Sequence, residues 1–112
     1  MGKSKIEYFS ENQNKLAQFS KVISHPARVA ILEFLIKRKQ CICSDLVMEF
    51  PLAQSTISQH LKELKKAGII KGKISGNEKC YCINAEVWQT IKKELNLFFN
   101  QFEKNKEECC SD

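Results

Sequence analysis

Residues 53 to 83 constrain the fold of this chain more than any other stretch. Ile57, Leu61 and Leu64 recur at i, i+4 and i+7, which predicts a helix over about Ala53 to Ala67 with one buried stripe. Pro51 stops whatever precedes it, and Gly68 is the expected C-terminal stop. Two short runs follow, about 69–74 and 79–83, separated by the turn-rich Ser75-Gly76-Asn77-Glu78, and the pair reads as a β-hairpin. Helix, glycine stop and hairpin thus follow one another without a linker.

The rest of the chain supplies helices around this unit. Phe9, Leu16, Phe19 and Ile23 share a face, predicting a first helix over 6–23. Ser24 is a candidate cap and Pro26 fits a first helical turn, where its missing N–H costs nothing. A second helix over about 26–37 is apolar nearly all round and is expected at the centre of the core. A short third helix is expected over about Ser44 to Phe50, with Ser44 as cap and Asp45 in its first turn. Asn84 can cap a last helix over about 85–105, where Val87, Ile91, Leu95, Phe98 and Phe102 form a stripe. Trp88, Leu97 and Phe99 widen that stripe beyond what one small core needs. The expected architecture is mainly α with a small β-hairpin, in the order α-α-α-α-β-β-α, a winged helix-turn-helix. With 112 residues there is room for one domain, expected over 1–105, followed by a flexible cysteine-containing tail at 106–112. A core this small is often extended by dimerisation.

Charge and side-chain chemistry converge on the same segment. The net charge is +5, and between Lys62 and Lys79 there are six lysines against two acids, Glu63 and Glu78. Opposite the apolar stripe of the 53–67 helix lie Gln54, Ser55, Thr56, Ser58, Gln59 and Lys62. Gln, Ser and Thr can meet base edges or position phosphates, Lys meets phosphate, and a helix N-terminus favours anions. Lys71, Lys73 and Lys79 on the hairpin can reach the flanking backbone. The expected partner is double-stranded DNA, with His60 an additional contact candidate, although a lone His on such a helix more often serves a structural role.

Four blocks of sequence carry a family resemblance: His25-Pro26-Ala27-Arg28; Cys41-Ile42-Cys43-Ser44-Asp45-Leu46; Gln54-Ser55-Thr56-Ile57-Ser58-Gln59-His60-Leu61-Lys62-Glu63-Leu64; and Ala67-Gly68-Ile69-Ile70. Together, over about residues 15 to 100, the chain resembles the ArsR/SmtB family of metal-responsive repressors. The resemblance implies a homodimer formed through the first and last helices. It also implies repression at an operator that is relieved when a ligand binds. Residues 85–105 contain no His, so the family's acidic and His zinc site on the last helix is not expected. The Cys41-Ile42-Cys43 pair resembles the family's thiolate sensor position near the third helix, but Ser44 shifts it by one residue relative to Asp45-Leu46.

Six cysteines occur as three close pairs, Cys41/Cys43, Cys80/Cys82 and Cys109/Cys110. In a reducing cytoplasm, where the chain is expected, structural disulfides are unusual. Trivalent arsenic or antimony takes two or three thiolates. Cys41 and Cys43 supply two, and Cys109 or Cys110 could add a third, so an As(III)-like thiophilic ion is the expected inducer; no cofactor is required. The bland alternative is that Cys41 and Cys43 pack as small apolar residues. Strand alternation sends Tyr81 and Ile83 to one face, expected to be core, and Cys80 and Cys82 to the other, expected to be more exposed. A four-cysteine zinc built from Cys41, Cys43, Cys80 and Cys82 has atypical one-residue spacings. A redox or persulfide switch centred on Cys43 is the main rival to metalloid sensing.

Other classes find little support. Two histidines, no Gly-rich phosphate loop and no paired carboxylates leave no convergent catalytic site. A pure protein–protein adaptor would not need the lysine-rich hairpin. No apolar run approaches the ~20 residues of a membrane span, and no signal core follows the N-terminus.

Overall fold

The computed structural model describes residues 5–38, 50–75 and 78–106, the side chains of 5, 6, 73–75, 78 and 79 excepted. After a 3-10 turn at Lys5–Tyr8, the elements run α1 (Glu11–Val22), α2 (Pro26–Lys37), α3 (Gln54–Lys66), β1 (Ile70–Ser75), β2 (Glu78–Ile83) and α4 (Ala85–Lys104). The helix expected over 44–50 lies outside the described residues save for Phe50, whose ring packs edge-on against Phe34 at 6.0 Å. The tail beyond 106 lies outside them too.

The first helix is shorter than its apolar spacing predicts. It starts after Ser10, whose hydroxyl accepts from the Gln13 amide while the Gln13 side chain accepts from the Ser10 amide. This reciprocal capping box breaks the chain at Phe9. The expected Ser24 cap is also corrected. Ser24 Oγ donates to the Lys21 carbonyl at 2.8 Å instead, and His25 caps α2, its Nδ1 accepting from Ala27 N at 3.2 Å. With Pro26 at the first helical position, the cap falls on the residue before it.

The core is built where three helices and the hairpin meet. Ile31, Leu32 and Leu35 of α2 pack with Ile57, Leu61 and Leu64 of α3, with Val22, and with Ile69 and Ile70 at the start of β1. α2 is less enveloped than its composition predicts, since Val29 and Ile36 are exposed. Gly68 terminates α3 in the left-handed region, at φ +81°. Its amide donates to Lys65 O and the Ile69 amide donates to Leu64 O, the paired bonds of a Schellman motif. Ile69 then accepts from the Asn84 amide at 2.9 Å, which ties the start of the hairpin to its end. The strands pair antiparallel, with Ile70 opposite Ile83, Lys71 opposite Cys82 and Lys73 opposite Cys80.

α4 has no buried residue. Its inner side leans on α1, while Leu97, Phe98, Phe99 and Phe102 are exposed, Phe98 at 53% and Phe102 at 66%. Tyr8 and Phe9, ahead of α1, are exposed too. A helix of 20 residues whose apolar stripe is half in solvent has an unsatisfied face.

Candidate nucleic-acid interface

α3 separates its two chemistries along its length. Ile57, His60, Leu61 and Leu64 are buried, whereas Gln54, Ser55, Thr56, Ser58, Gln59 and Lys62 are exposed. The cap residue is Ala53, which offers no side-chain acceptor. The first amides of α3 are therefore not capped from within, and they lie beside the Gln and Ser side chains. Gln59 is held by its neighbour one turn on, its Nε2 donating to Glu63 Oε1 at 3.2 Å. A base contact by Gln59 must compete with that bond.

His60, a candidate contact on sequence, lies inside, in keeping with the alternative structural role. Only 7% of its surface is accessible, and its ring turns inward to Arg28 and His25. Its place in the buried stripe follows from its position three residues after Ile57 and four before Leu64, which a reading of the exposed face alone passes over. Burial, followed by His25 and Arg28, lowers its pKa below the usual 6.5. His60 is therefore a neutral internal acceptor rather than a surface donor.

The hairpin stands against the C-terminal end of α3. Lys71 is exposed on β1. Lys73 and Lys79 occupy paired strands near the turn, but their side chains lie outside the described residues. Sequence reasoning passed over Lys65. Its ammonium lies across the hairpin at Gly72, where an added Cβ would come within 2.8 Å of Nζ. The bare glycine is what lets this cation rest on β1, and its signal was a glycine inside a strand, which often marks a close approach.

The cysteines divide sharply. Cys41, Cys43, Cys109 and Cys110 lie outside the described residues. Cys80 is 3% exposed, so the expectation that it lies on the more exposed face of β2 is corrected. β2 pairs with β1 along one edge and also packs on α2. Tyr81 and Ile83 are half-buried against the core, and Cys82 is half-buried. Among the described residues no group of three or more His, Cys, Asp or Glu is placed to hold a metal, and no helix is long and apolar enough to cross a membrane.

A buried-stripe helix with a polar exposed face, closed by a glycine and followed directly by a lysine-bearing hairpin, has the arrangement of a winged helix-turn-helix. Residues 25–71 match the model of the bacterial regulatory protein family arsR. The chain is 35% identical over 92 residues to the transcriptional repressor PagR of Bacillus anthracis, covering 82% of this chain and 90% of that one. It is 32% identical to an arsenical resistance operon repressor of Staphylococcus xylosus, covering 74% and 79%. It is 38% identical over 69 residues to an HTH-type transcriptional regulator of Mycobacterium tuberculosis, Rv0081, where the match covers 62% of this chain and 60% of that protein. The crystal structure of Rv0081 superposes with a TM-score of 0.59 at 33% identity, over 82% of this chain and 97% of that one. The chain belongs to the ArsR family of transcriptional regulators.

Proposed function

We propose that the protein is a homodimeric, DNA-binding transcriptional repressor acting in the cytoplasm. The observation that carries this reading is the exposed row Gln54, Ser55, Thr56, Ser58 and Gln59 at the uncapped start of α3. Its family membership, and relatives that bear the name of repressor, support it. Gln54, Ser55, Thr56, Ser58 and Gln59 read bases or fix phosphates in the major groove, and Lys62, Lys65, Lys71, Lys73 and Lys79 bind phosphates on either side. His60 is left out of this set because it is buried. The second copy covers the apolar faces of α1 and α4, where Phe98, Phe99 and Phe102 stand exposed. A two-fold dimer then presents two α3 helices to half-sites about one helical turn apart.

The inducer reading is a thiophilic metalloid such as As(III), held by Cys41 and Cys43 with Cys109 or Cys110 as a third thiolate. The name of the staphylococcal relative and the softness of thiolate ligands support it. A second reading, in which oxidation of Cys43 is the signal, is supported by the cationic stretch Lys37-Arg38-Lys39 that precedes it in sequence. The deciding experiment is fluorescence anisotropy of the reduced protein on its own promoter DNA, titrated first with arsenite and then with peroxide. Release by arsenite that is lost in Cys41→Ser/Cys43→Ser supports metalloid sensing. Release by peroxide alone, lost in Cys43→Ser, supports the redox reading. No binding to the promoter before any titration contradicts the repressor reading itself.

A further inference from the structure

Three helices meet at one guanidinium. Arg28, in the first turn of α2, donates from Nε to Nδ1 of His60 at 3.1 Å and from Nη1 to the carbonyl oxygen of Val22 at 3.0 Å. Val22 is the last residue of α1 and His60 lies midway along α3. The His25 ring, at the cap of α2, rests on the His60 ring with centroids 4.5 Å apart and planes inclined at 58°. His25 in turn uses its own Nδ1 to accept from the Ala27 amide. Each of these imidazoles therefore works through a lone pair, and an imidazolium has two donors and no acceptor.

The consequence of a proton follows from this geometry. If His60 is protonated, its Nδ1–H faces the Arg28 Nε–H, donor against donor and cation against cation. Among the described residues, the groups that act on His60 are the Arg28 guanidinium from α2 and the titratable His25 ring at its cap, while α1 offers the Val22 carbonyl to Arg28. Among the described residues, the groups that lower its pKa include no carboxylate to offset a second positive charge. Ser55, Thr56, Ser58 and Gln59, the exposed residues on the turns of α3 just before His60, are those assigned above to the operator.

We propose that Arg28 is a positioning residue for operator recognition: by bridging His60 and the Val22 carbonyl it fixes the angle at which α3 offers its reading face, and a proton on His60 releases that bridge and weakens operator binding. The inference rests on the DNA-binding reading and adds a specificity element inside the protein, away from the DNA. Its sign opposes the generic expectation. Acidification adds positive charge to a chain that already carries +5, which strengthens attraction to any phosphate backbone. Loss of the bridge lowers affinity for the operator selectively.

The test is fluorescence anisotropy of the full-length reduced protein on its promoter DNA and on an unrelated duplex, at constant ionic strength, across the histidine range from about pH 8 to about pH 5.5. The expected result is a fall in the ratio of specific to non-specific affinity that begins below the ordinary histidine value and steepens toward the acid end, approaching on the order of tenfold, the scale of one hydrogen bond to a charged donor, only where His60 is fully protonated. His60→Gln, whose amide accepts from Arg28 but takes no proton, should give a ratio that is flat with pH. His25→Asn, which can still cap α2, should keep the fall. Arg28→Lys, whose single ammonium cannot span both acceptors, should lower the ratio at the alkaline end and flatten it, and it carries the test if His60→Gln fails to fold. A flat ratio in the wild type, a fall that persists in His60→Gln, or equal acid loss on both duplexes would each overturn the proposal while leaving the DNA-binding reading intact. Absence of specific binding at every pH would overturn both.

Discussion

Gly68 gives the sharpest energetic prediction, because conformation and space can be separated there. Its φ of +81° lies in the left-handed region, yet an added Cβ would meet nothing within 4 Å. Gly68→Ala therefore introduces no clash, and its whole folded-state effect is the cost of placing an L side chain at that φ, about 1–2 kcal/mol. Alanine also narrows the unfolded ensemble, which offsets roughly 0.4–1 kcal/mol of that cost. The net loss should be about 1 kcal/mol, or roughly 4 °C in Tm for a domain of this size. Gly68→Asn should lose less, since asparagine tolerates the left-handed region better than other residues with a Cβ. The assay is urea unfolding at one fixed protein concentration, because dimerisation makes apparent stability depend on concentration. Two outcomes would refute the reasoning. If Gly68→Ala is as stable as the wild type, the turn does not need a positive φ. If Gly68→Asn loses more than Gly68→Ala, bulk rather than backbone conformation sets the cost.

Three further predictions concern charge and surface. His60 has a lowered folded-state pKa, so below its unfolded value of 6.5 the unfolded chain binds more protons; the stability it contributes is complete above that value and lost as the pH falls through the folded pKa. Urea midpoints should drop more steeply on acidification in the wild type than in His60→Gln, and parallel slopes would contradict this. Lys71→Ala should weaken binding to all duplexes alike and reduce the salt slope by about one phosphate contact; a loss confined to one base-pair position would contradict the phosphate role. Phe98→Glu, on the exposed face of α4, should shift the protein to a monomer in analytical ultracentrifugation and weaken operator binding sharply, and a dimer that persists would place the interface elsewhere.

How much could be read from the chain depended on how local the physics was. The α3 stripe, the Gly68 stop and the hairpin after it are set by neighbours within a few residues, and each falls within about one residue of its expected boundary. The break at Ser10 was also locally encoded, in Ser10-Glu11-Asn12-Gln13, but the apolar spacing from Phe9 to Ile23 runs across it and masks it. His60 was harder to place. The residues that explain its burial, Arg28 and His25, lie 32 and 35 positions away, and no periodicity within α3 connects them. Cys80 was misplaced because alternation along a strand divides two faces without saying which one another helix will cover. On α4 the sequence showed too wide an apolar stripe, and the structure locates the excess at Leu97, Phe98, Phe99 and Phe102. The fold of one chain and the exposed polar face of α3 were thus legible. The inward clamp and the burial of Cys80 depend on contacts between distant segments, which the sequence does not display.

The central claim is that the exposed row of α3 reads DNA as part of a symmetric dimer. Hydroxyl-radical footprinting of the wild type and of Gln54→Ala/Ser58→Ala on the chain's own promoter tests it most directly. The account predicts two protected half-sites about one helical turn apart, with protection lost or reduced to sequence-independent coverage in the variant. A footprint that is identical in the variant, or no protection at all at low salt, would contradict it.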